Sequence, residues 1–136
     1  MGMNLVVSCP KGYEPNKQVT SRAKQLAHES GGSVELVGNP VKAAEDADVL
    51  YTDVWVSMGQ EKAAKQKERR FKPYQINAKL VSKAKPDVSV MHCLPAHRGL
   101  EITDEVLEGS QSIVWRQAEN KLHGARAVLA AFLSNS

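Results

Sequence analysis

Short apolar segments alternate with helical patterns along the whole of this sequence, and that alternation restricts the fold more than any other feature. The first apolar segment, Met3–Cys9, ends at Pro10, a residue that breaks strands. The next segment, Asn16–Ser30, has a helical pattern that ends at the pair Gly31-Gly32. Strands that alternate with helices predict an α/β fold with a mainly parallel sheet and helices on both of its faces.

The apolar segments are near-continuous hydrophobic runs, as parallel strands buried on both faces are. The predicted strands are Met3–Cys9, Ser33–Val37, Val49–Thr52, Val88–His92 and Ser112–Trp115. The predicted helices are Asn16–Ser30, Pro40–Ala47, Gln60–Lys72, Asn77–Lys85, Thr103–Leu107 and Glu119–Leu133. Asn39 before Pro40 is typical of a helix start, because asparagine caps free amide groups and proline suits the first helical position.

The chain has 136 residues, which is the length of one domain and too short for an enzyme of two nucleotide-binding-type domains. Its 18 basic and 15 acidic residues give a net charge of +3, weaker than the charge typical of a nucleic-acid-binding domain. No apolar run approaches the roughly 18 residues that span a bilayer, and no signal peptide is recognisable. We therefore expect a cytoplasmic protein without a membrane or nucleic-acid partner, whose two cysteines are reduced.

One candidate site follows the strand Val49–Thr52, because open parallel sheets bind ligands beyond the carboxyl ends of their strands. Asp53 comes directly after that strand and leads into the loop 53–59, DVWVSMG. Its carboxylate can accept hydrogen bonds from an ammonium group, and the backbone N–H groups of residues 57–59 can receive a carboxylate. Asp53 and this loop are a candidate clamp for an α-amino acid. The alternative is that Asp53 caps the helix that follows.

A second candidate site is the segment HCLPAHRG, residues 92–99, after the fourth predicted strand. His92 and Cys93 can serve as acid–base or nucleophilic groups, and with His97 they could ligate a metal. The spacing His-Cys-x3-His matches none of the usual zinc sites, so we predict no metal. The alternative is an ordinary buried histidine beside an inert cysteine. The Leu94-Pro95 bond at a strand end is a candidate cis peptide.

A run of basic residues between positions 62 and 72 is the most highly charged part of the chain. We interpret it as the solvated face of a helix, with nucleic-acid binding as the alternative. Phe71 and Tyr74 are expected to pack this helix onto the sheet. The sequence contains no glycine-rich phosphate loop of the GxGxxG or Walker type, and no cofactor is predicted.

Several longer segments together resemble the ornithine-binding half of the ornithine carbamoyltransferase family. They are DVWVSMGQE (53–61), FKPYQINAKLV (71–81), HCLPAHRGLEIT (92–103) and SIVWRQAENKLH (112–123). The segment MNLVVSCPKGYEPN (3–16) is similar to that family's second strand and the loop after it. The resemblance covers essentially the whole chain in order. It implies that residues 1–136 are a Rossmann-like, three-layer α/β domain that lacks the first strand and helix of the family domain.

The resemblance implies a transferase of arginine metabolism, which joins the carbamoyl group of carbamoyl phosphate to the δ-amine of ornithine. By motif match, Asp53 holds the ornithine α-ammonium group, and Ser57 and Met58 meet its carboxylate. Cys93 and the Cys93-Leu94 backbone orient the δ-amine and border the position of carbamoyl phosphate. Asp53 and Cys93 are the implied catalytic residues. They act by positioning and electrostatics rather than through a covalent intermediate.

The family pattern Ala-Glu-Asn-Arg occurs here as Ala118-Glu119-Asn120-Lys121. The arginine of the family helps to bind carbamoyl phosphate, so Lys121 is the implied contact for that substrate in this chain. Lysine keeps the positive charge of arginine but lacks its bidentate fork.

The signatures of the family's carbamoyl-phosphate domain are absent from the sequence, so we expect the chain by itself to be inactive. The implied partners are ornithine, carbamoyl phosphate once the missing domain is supplied, and copies of the chain, as in the family trimer. A non-enzymatic amino-acid-binding or interaction module is the alternative. The missing strand would leave sheet edges unpaired at Met3–Cys9 and Val49–Thr52. The chain is therefore expected to close this gap, to self-associate or to depend on a separate N-terminal piece.

Overall fold

The computed structural model describes residues 2–56 and 64–134. Its strands are β1 (Asn4–Val7), β2 (Ser33–Leu36), β3 (Val49–Thr52) and β4 (Ser89–His92). Its helices are α1 (Lys17–Glu29), α2 (Pro40–Ala44), α3 (Ala64–Phe71), α4 (Ala78–Val81), α5 (Asp104–Leu107) and α6 (Val114–Leu133), with a short 3-10 helix at Lys72–Tyr74. No helix in these two ranges combines the length and the apolar character that crossing a membrane requires.

Asparagine side chains begin three of the helices and account for their positions. The Asn16 side chain accepts hydrogen bonds from the first free amide groups of α1, and the Asn39 side chain does the same for α2. Asn77 accepts one from the Leu80 amide at 3.0 Å and so begins α4. Each cap satisfies amide groups that have no partner inside the helix. The predicted start of α2, with Pro40 in its first turn, is confirmed.

The strands form two separate parallel sheets in the described part of the chain. β1 pairs with β2 from Asn4 beside Ser33, and β3 pairs with β4 from Val49 beside Ser89. The predicted parallel α/β architecture is confirmed. A groove of 420 Å³, lined by Val6 of β1 and by all of β3, lies between the two sheets. Within residues 2–56 and 64–134, the edges of β1 and β3 that face each other stay unpaired, and no described strand closes the gap that the resemblance implied.

The predicted strand Ser112–Trp115 is wrong. Ser112 forms a single parallel bridge with Val90 of β4, and α6 then begins at Val114 rather than at Glu119. Val114 is fully buried, so the apolar run reflects the burial of one side chain at the helix start and not a continuous strand. A short apolar run does not distinguish a buried strand from the first turn of a buried helix.

The hydrophobic core surrounds β4 and lies within residues 44–114. Its most deeply buried apolar side chains, at most 2% exposed, are Ala44, Val88, Val90, Ile102, Leu107 and Val114. In contrast, α1 has no buried residue, and only Pro10 is buried among residues 2–43. The pair of strands β3 and β4 is therefore the firmly packed part of the molecule, and its carboxyl end carries the candidate site.

Beyond Val114, α6 is mostly exposed. Its later turns present the exposed apolar side chains Leu122, Val128, Leu129 and Leu133. The first half of this helix reaches the end of β4 through the polar contacts given below.

Candidate functional site at the ends of β3 and β4

Asp53 and Cys93 meet where the two strands end. Thr52 of β3 lies beside His92 of β4 in the parallel register, so the residues that follow them also become neighbours. The Cys93 Sγ–H donates a hydrogen bond to Asp53 Oδ1 at 2.9 Å, and the Val54 amide donates to the same oxygen at 2.7 Å. The structure thus brings together the two side chains that the sequence implied to be catalytic.

The contact shifts both pKa values in opposite directions. The hydrogen bond from Cys93 is the main reason that the pKa of Asp53 lies below its ordinary value of 3.8. Burial, followed by the bond and charge of Asp53, raises the pKa of the Cys93 thiol above 9.0. Near neutral pH the pair is therefore a carboxylate and a protonated thiol. A protonated thiol is a hydrogen-bond donor rather than a nucleophile, which agrees with the predicted absence of a covalent intermediate.

The alternative role of Asp53 as a helix cap is wrong. Residues 54–56 are not helical, and within the described residues the next helix, α3, begins only at Ala64. Asp53 instead accepts a hydrogen bond from the adjacent strand end and presents its side chain to solvent.

Lys121 reaches the same strand end from α6. Its Nζ donates to the backbone carbonyl oxygen of Cys93. Gln117, one helical turn earlier, accepts a hydrogen bond from the His92 amide at 3.1 Å and donates to the Tyr51 hydroxyl at 3.3 Å. Residues four apart lie on one face of a helix, so α6 holds the end of β4 with two adjacent side chains. Sequence reasoning identified Lys121 and missed Gln117, whose contact joins two segments 25 residues apart.

The turn after β4 has an unusual backbone. The Leu94-Pro95 bond is cis, as predicted, and Leu94 has a φ of 55°, in the left-handed region that branched side chains rarely occupy. The Leu94 amide donates to His92 Nδ1 at 2.8 Å. This hydrogen bond helps to offset the strain of the left-handed Leu94 backbone. The turn also leaves the Cys93 carbonyl oxygen accessible to Lys121.

His92 is buried and hydrogen-bonded, which agrees with the alternative interpretation of His92 as an ordinary buried histidine. Its Nε2 lies 3.1 Å from Oε1 of Glu101, and both side chains are fully enclosed. His97, the third candidate metal ligand, is half exposed, and its Nδ1 lies 3.9 Å from Glu101 Oε2. Among residues 2–56 and 64–134, no three side chains of the ligand types gather into a metal-binding group. Sequence reasoning missed Glu101, a charged residue in a loop that gave no sign of its burial.

The groove between β1 and β3 opens beside Asp53 and has an aromatic end. Tyr13 packs edge-on against Phe71 with ring centroids 4.9 Å apart, and Phe71 also neighbours Trp55 and Tyr74. These four rings line the groove. Phe71 therefore packs against rings of the segments that follow β1 and β3, and the predicted packing of Phe71 and Tyr74 directly on the sheet stays a prediction. Ser57 and Met58, the implied contacts of the ornithine carboxylate, lie outside the described residues.

The basic run of α3 also contributes to this packing. The Lys67 ammonium group lies 5.8 Å from the ring centres of both Tyr13 and Phe71, and the Arg70 guanidinium lies 6.0 Å from that of Tyr13. These distances are typical of cation–π contacts. Part of the positive charge therefore faces aromatic rings of this chain.

We expect the pKa of the Cys93 thiol to lie above its ordinary value of 9.0, because burial and the Asp53 carboxylate both disfavour the thiolate. Replacing Asp53 by asparagine removes the nearby negative charge and lowers that pKa. The ultraviolet absorbance of the thiolate across a pH titration measures both values. The Cys9→Ser background leaves Cys93 as the one reporting thiol. A pKa at or below 9.0, or one unchanged by the substitution, would contradict the contact.

The family model for the "Aspartate/ornithine carbamoyltransferase, Asp/Orn binding domain" matches residues 1–132. The chain is 57% identical over 130 residues to the anabolic ornithine carbamoyltransferase of Pyrococcus furiosus. This match covers 96% of the present chain and 41% of that relative. It is 49% identical over 134 residues to the catabolic ornithine carbamoyltransferase of Thermoplasma acidophilum, covering 98% of this chain and 44% of that relative.

Solved structures agree with the sequence matches. The Pyrococcus furiosus ornithine carbamoyltransferase superimposes with a TM-score of 0.89 at 57% identity, over 94% of this chain and 41% of that one. The anabolic enzyme of Campylobacter jejuni gives a TM-score of 0.89 at 34% identity, over 98% of this chain and 44% of that one. The chain thus spans about two fifths of these relatives, at 41% to 44% of their length. It belongs to the aspartate/ornithine carbamoyltransferase family and corresponds to the Asp/Orn binding domain of that family.

Proposed function

We propose that this chain is the ornithine-binding portion of an ornithine carbamoyltransferase, which makes citrulline and phosphate from ornithine and carbamoyl phosphate. The observation that carries the proposal is the hydrogen-bonded pair of Asp53 and Cys93 at neighbouring strand ends. The ornithine carbamoyltransferases to which the chain is similar favour this function over a non-enzymatic binding module. Because those relatives include enzymes named anabolic and catabolic, the proposal covers the reaction and not its metabolic direction.

Asp53 is the proposed contact of the ornithine α-ammonium group. Its lowered pKa keeps it ionised near neutral pH, and its exposed position lets a ligand approach. In the described part of the chain, its side-chain hydrogen bonds both fall on Oδ1, so Oδ2 is the oxygen that we propose accepts from the ammonium group. A charge-assisted bond between carboxylate and ammonium is stronger than a neutral hydrogen bond. Ser57 and Met58 stay the proposed contacts of the ornithine carboxylate.

The reaction needs an uncharged δ-amine held in line with the carbamoyl carbon. We propose that Cys93 and the Cys93-Leu94 backbone orient that amine. The nitrogen lone pair forms the new C–N bond, the bond from the carbamoyl carbon to the phosphate oxygen breaks, and the proton lost by the amine passes to the departing phosphate. Phosphate leaves with the electron pair of the broken bond. Placing the two reactants accounts for most of the rate gain in such a scheme.

Lys121, Cys93 and Leu94 are the proposed contacts of carbamoyl phosphate in this chain. The Lys121 ammonium already lies at the Cys93 carbonyl, so its positive charge is beside the position proposed for the reacting groups. A single ammonium group attracts a phosphate as a point charge and cannot form the paired bonds of arginine. We therefore propose that the remaining contacts of carbamoyl phosphate come from outside this chain, in an assembly that contains several copies of it.

Replacing Asp53 by asparagine should weaken ornithine binding to this chain by about tenfold or more, because the substitution removes one charge-assisted hydrogen bond at constant shape. Isothermal titration calorimetry with ornithine measures the change. Asp48→Asn is the matched control, since Asp48 is an exposed aspartate paired with Lys85 away from the site. Equal affinities for wild type and Asp53→Asn would refute the role of Asp53, and absence of binding by the wild type would count against an ornithine site.

A further inference from the structure

Glu101 is a fully buried carboxylate that joins the two ends of the turn carrying Cys93 and Leu94. Its Oε1 lies 3.1 Å from His92 Nε2, at the end of β4. The same oxygen accepts a hydrogen bond from the His97 amide at 2.6 Å, at the other end of the turn. Glu101 Oε1 therefore links the two ends of the segment 92–97, and Cys93 and Leu94 lie between the two residues that it contacts.

The hydrogen bonds of His92 define its tautomer. The Leu94 amide donates to His92 Nδ1 at 2.8 Å, so Nδ1 is an acceptor and carries no proton. The ring proton is then on Nε2, which faces the Glu101 carboxylate. A carboxylate at Nε2 favours this tautomer, because only the tautomer with Nε2–H can donate to it. Glu101 thus keeps Nδ1 available for the Leu94 amide.

Packing alone does not account for a carboxylate at this position. A buried charge is unfavourable unless hydrogen bonds compensate it. Glu101 Oε2 is buried and has no hydrogen-bond partner in the described part of the chain. The compensation comes through Oε1, from the two groups that shape the turn.

We propose that Glu101 is a positioning residue of the ornithine site, acting through the His92 tautomer to hold the Leu94 amide and the Cys93 backbone. Among the described residues, the polar contacts of its carboxylate are with His92 and His97, so we place its effect on the site through the His92 ring. Leu94 has a left-handed φ of 55°, so the turn needs a local partner for its amide to keep this shape. The identity of the ligand rests on the proposed function, whereas the tautomer and its control of the turn do not.

The test follows the His92 ring nitrogens and the Leu94 amide by ¹⁵N nuclear magnetic resonance of the whole chain. The wild type is expected to show a protonated Nε2 and an unprotonated Nδ1. Glu101→Gln keeps an acceptor oxygen and should preserve both signals. Glu101→Leu removes the acceptor, so the Nδ1–H tautomer gains population and the Leu94 amide resonance moves. Glu105→Leu, on the exposed face of α5, is the matched control and should change neither.

Ornithine affinity provides a second readout. Glu101→Leu should bind ornithine about tenfold more weakly than the wild type, and Glu101→Gln should bind within about twofold of it. A residue that only stabilised the fold would lower the melting temperature and leave the affinity of the folded fraction unchanged. If the wild type binds no ornithine, the proposed function fails, while the tautomer measurement still decides the role of Glu101.

Two results would overturn the proposal. One is a wild-type His92 protonated at Nδ1. The other is a folded Glu101→Leu variant whose ring and Leu94 signals match the wild type. If Glu101→Leu does not fold, His92→Asn and His92→Gln replace it. Asparagine places its amide oxygen near Nδ1 and should keep the Leu94 hydrogen bond, whereas glutamine reaches toward Glu101 and should lose it. Loss of the Leu94 hydrogen bond in His92→Asn and its retention in His92→Gln would also overturn the proposal.

Discussion

The purified chain, supplied with ornithine and carbamoyl phosphate, should form no citrulline above background. Citrulline formation should appear when the part of the Pyrococcus furiosus enzyme outside its match to this chain is added as a second polypeptide. The chain supplies the proposed ornithine contacts, whereas Lys121 is the one cation among its proposed contacts of carbamoyl phosphate, and the remaining contacts are proposed to come from outside the chain. Orienting two bound reactants is worth about 10⁵–10⁸ M in effective concentration, and a single-substrate site forfeits that gain.

The unpaired edges of β1 and β3 are the proposed attachment point for the added polypeptide. Both edges border the groove, and exposed strand edges pair readily with another strand. A colorimetric citrulline assay after co-purification measures the effect, and size-exclusion chromatography verifies that the two polypeptides associate. Asp53→Asn in the complex should remove most of the activity, and Asp48→Asn should not. Citrulline formed by the chain alone, and lost in Asp53→Asn, would contradict the prediction.

Replacing Ile102 by alanine should lower the free energy of unfolding by about 3 kcal/mol. Ile102 is fully buried, and it forms parallel bridges to Ile76 and Arg98 beside Glu101. Truncation leaves a cavity that the bridged backbone on both sides cannot readily fill, and the cost rises with the cavity volume. Urea denaturation followed by circular dichroism measures the change.

Val128→Ala is the matched control, because Val128 is 56% exposed on α6. Its effect should stay within about 0.5 kcal/mol. A loss below about 1 kcal/mol for Ile102→Ala would show that the core around β4 rearranges to fill the space, against the close packing described here. An altered denaturant slope would instead indicate a change in how much surface unfolding exposes.

Local rules sufficed for most of the fold and for the central pair of the site. Asn16 and Asn39 indicated helix starts through their own side-chain chemistry. The rule that ligands bind at the carboxyl ends of parallel strands marked the segments of Asp53 and of Cys93 as two candidate sites, and the structure shows these two side chains in contact.

The parts that could not be predicted depend on contacts between distant segments. Glu101 is nine residues from its histidine partner, and a glutamate in a loop is expected to be exposed. Gln117 reaches His92 only because α6 begins at Val114, a boundary that the apolar run around residue 113 obscured. Periodicity describes one element at a time, so neither contact had a local signal.

Amide hydrogen exchange should be faster in residues 2–43 than in β4 and the helices around it. Strands β1 and β2 and helix α1 are joined by backbone hydrogen bonds, yet Pro10 is the one buried residue among residues 2–43. Segments with few buried apolar contacts open at a small fraction of the global unfolding free energy. Residues 2–43 should therefore exchange by local opening while β4 and its surrounding helices remain protected. The wall of the groove formed by β1 can then open without disturbing the turn that holds Cys93.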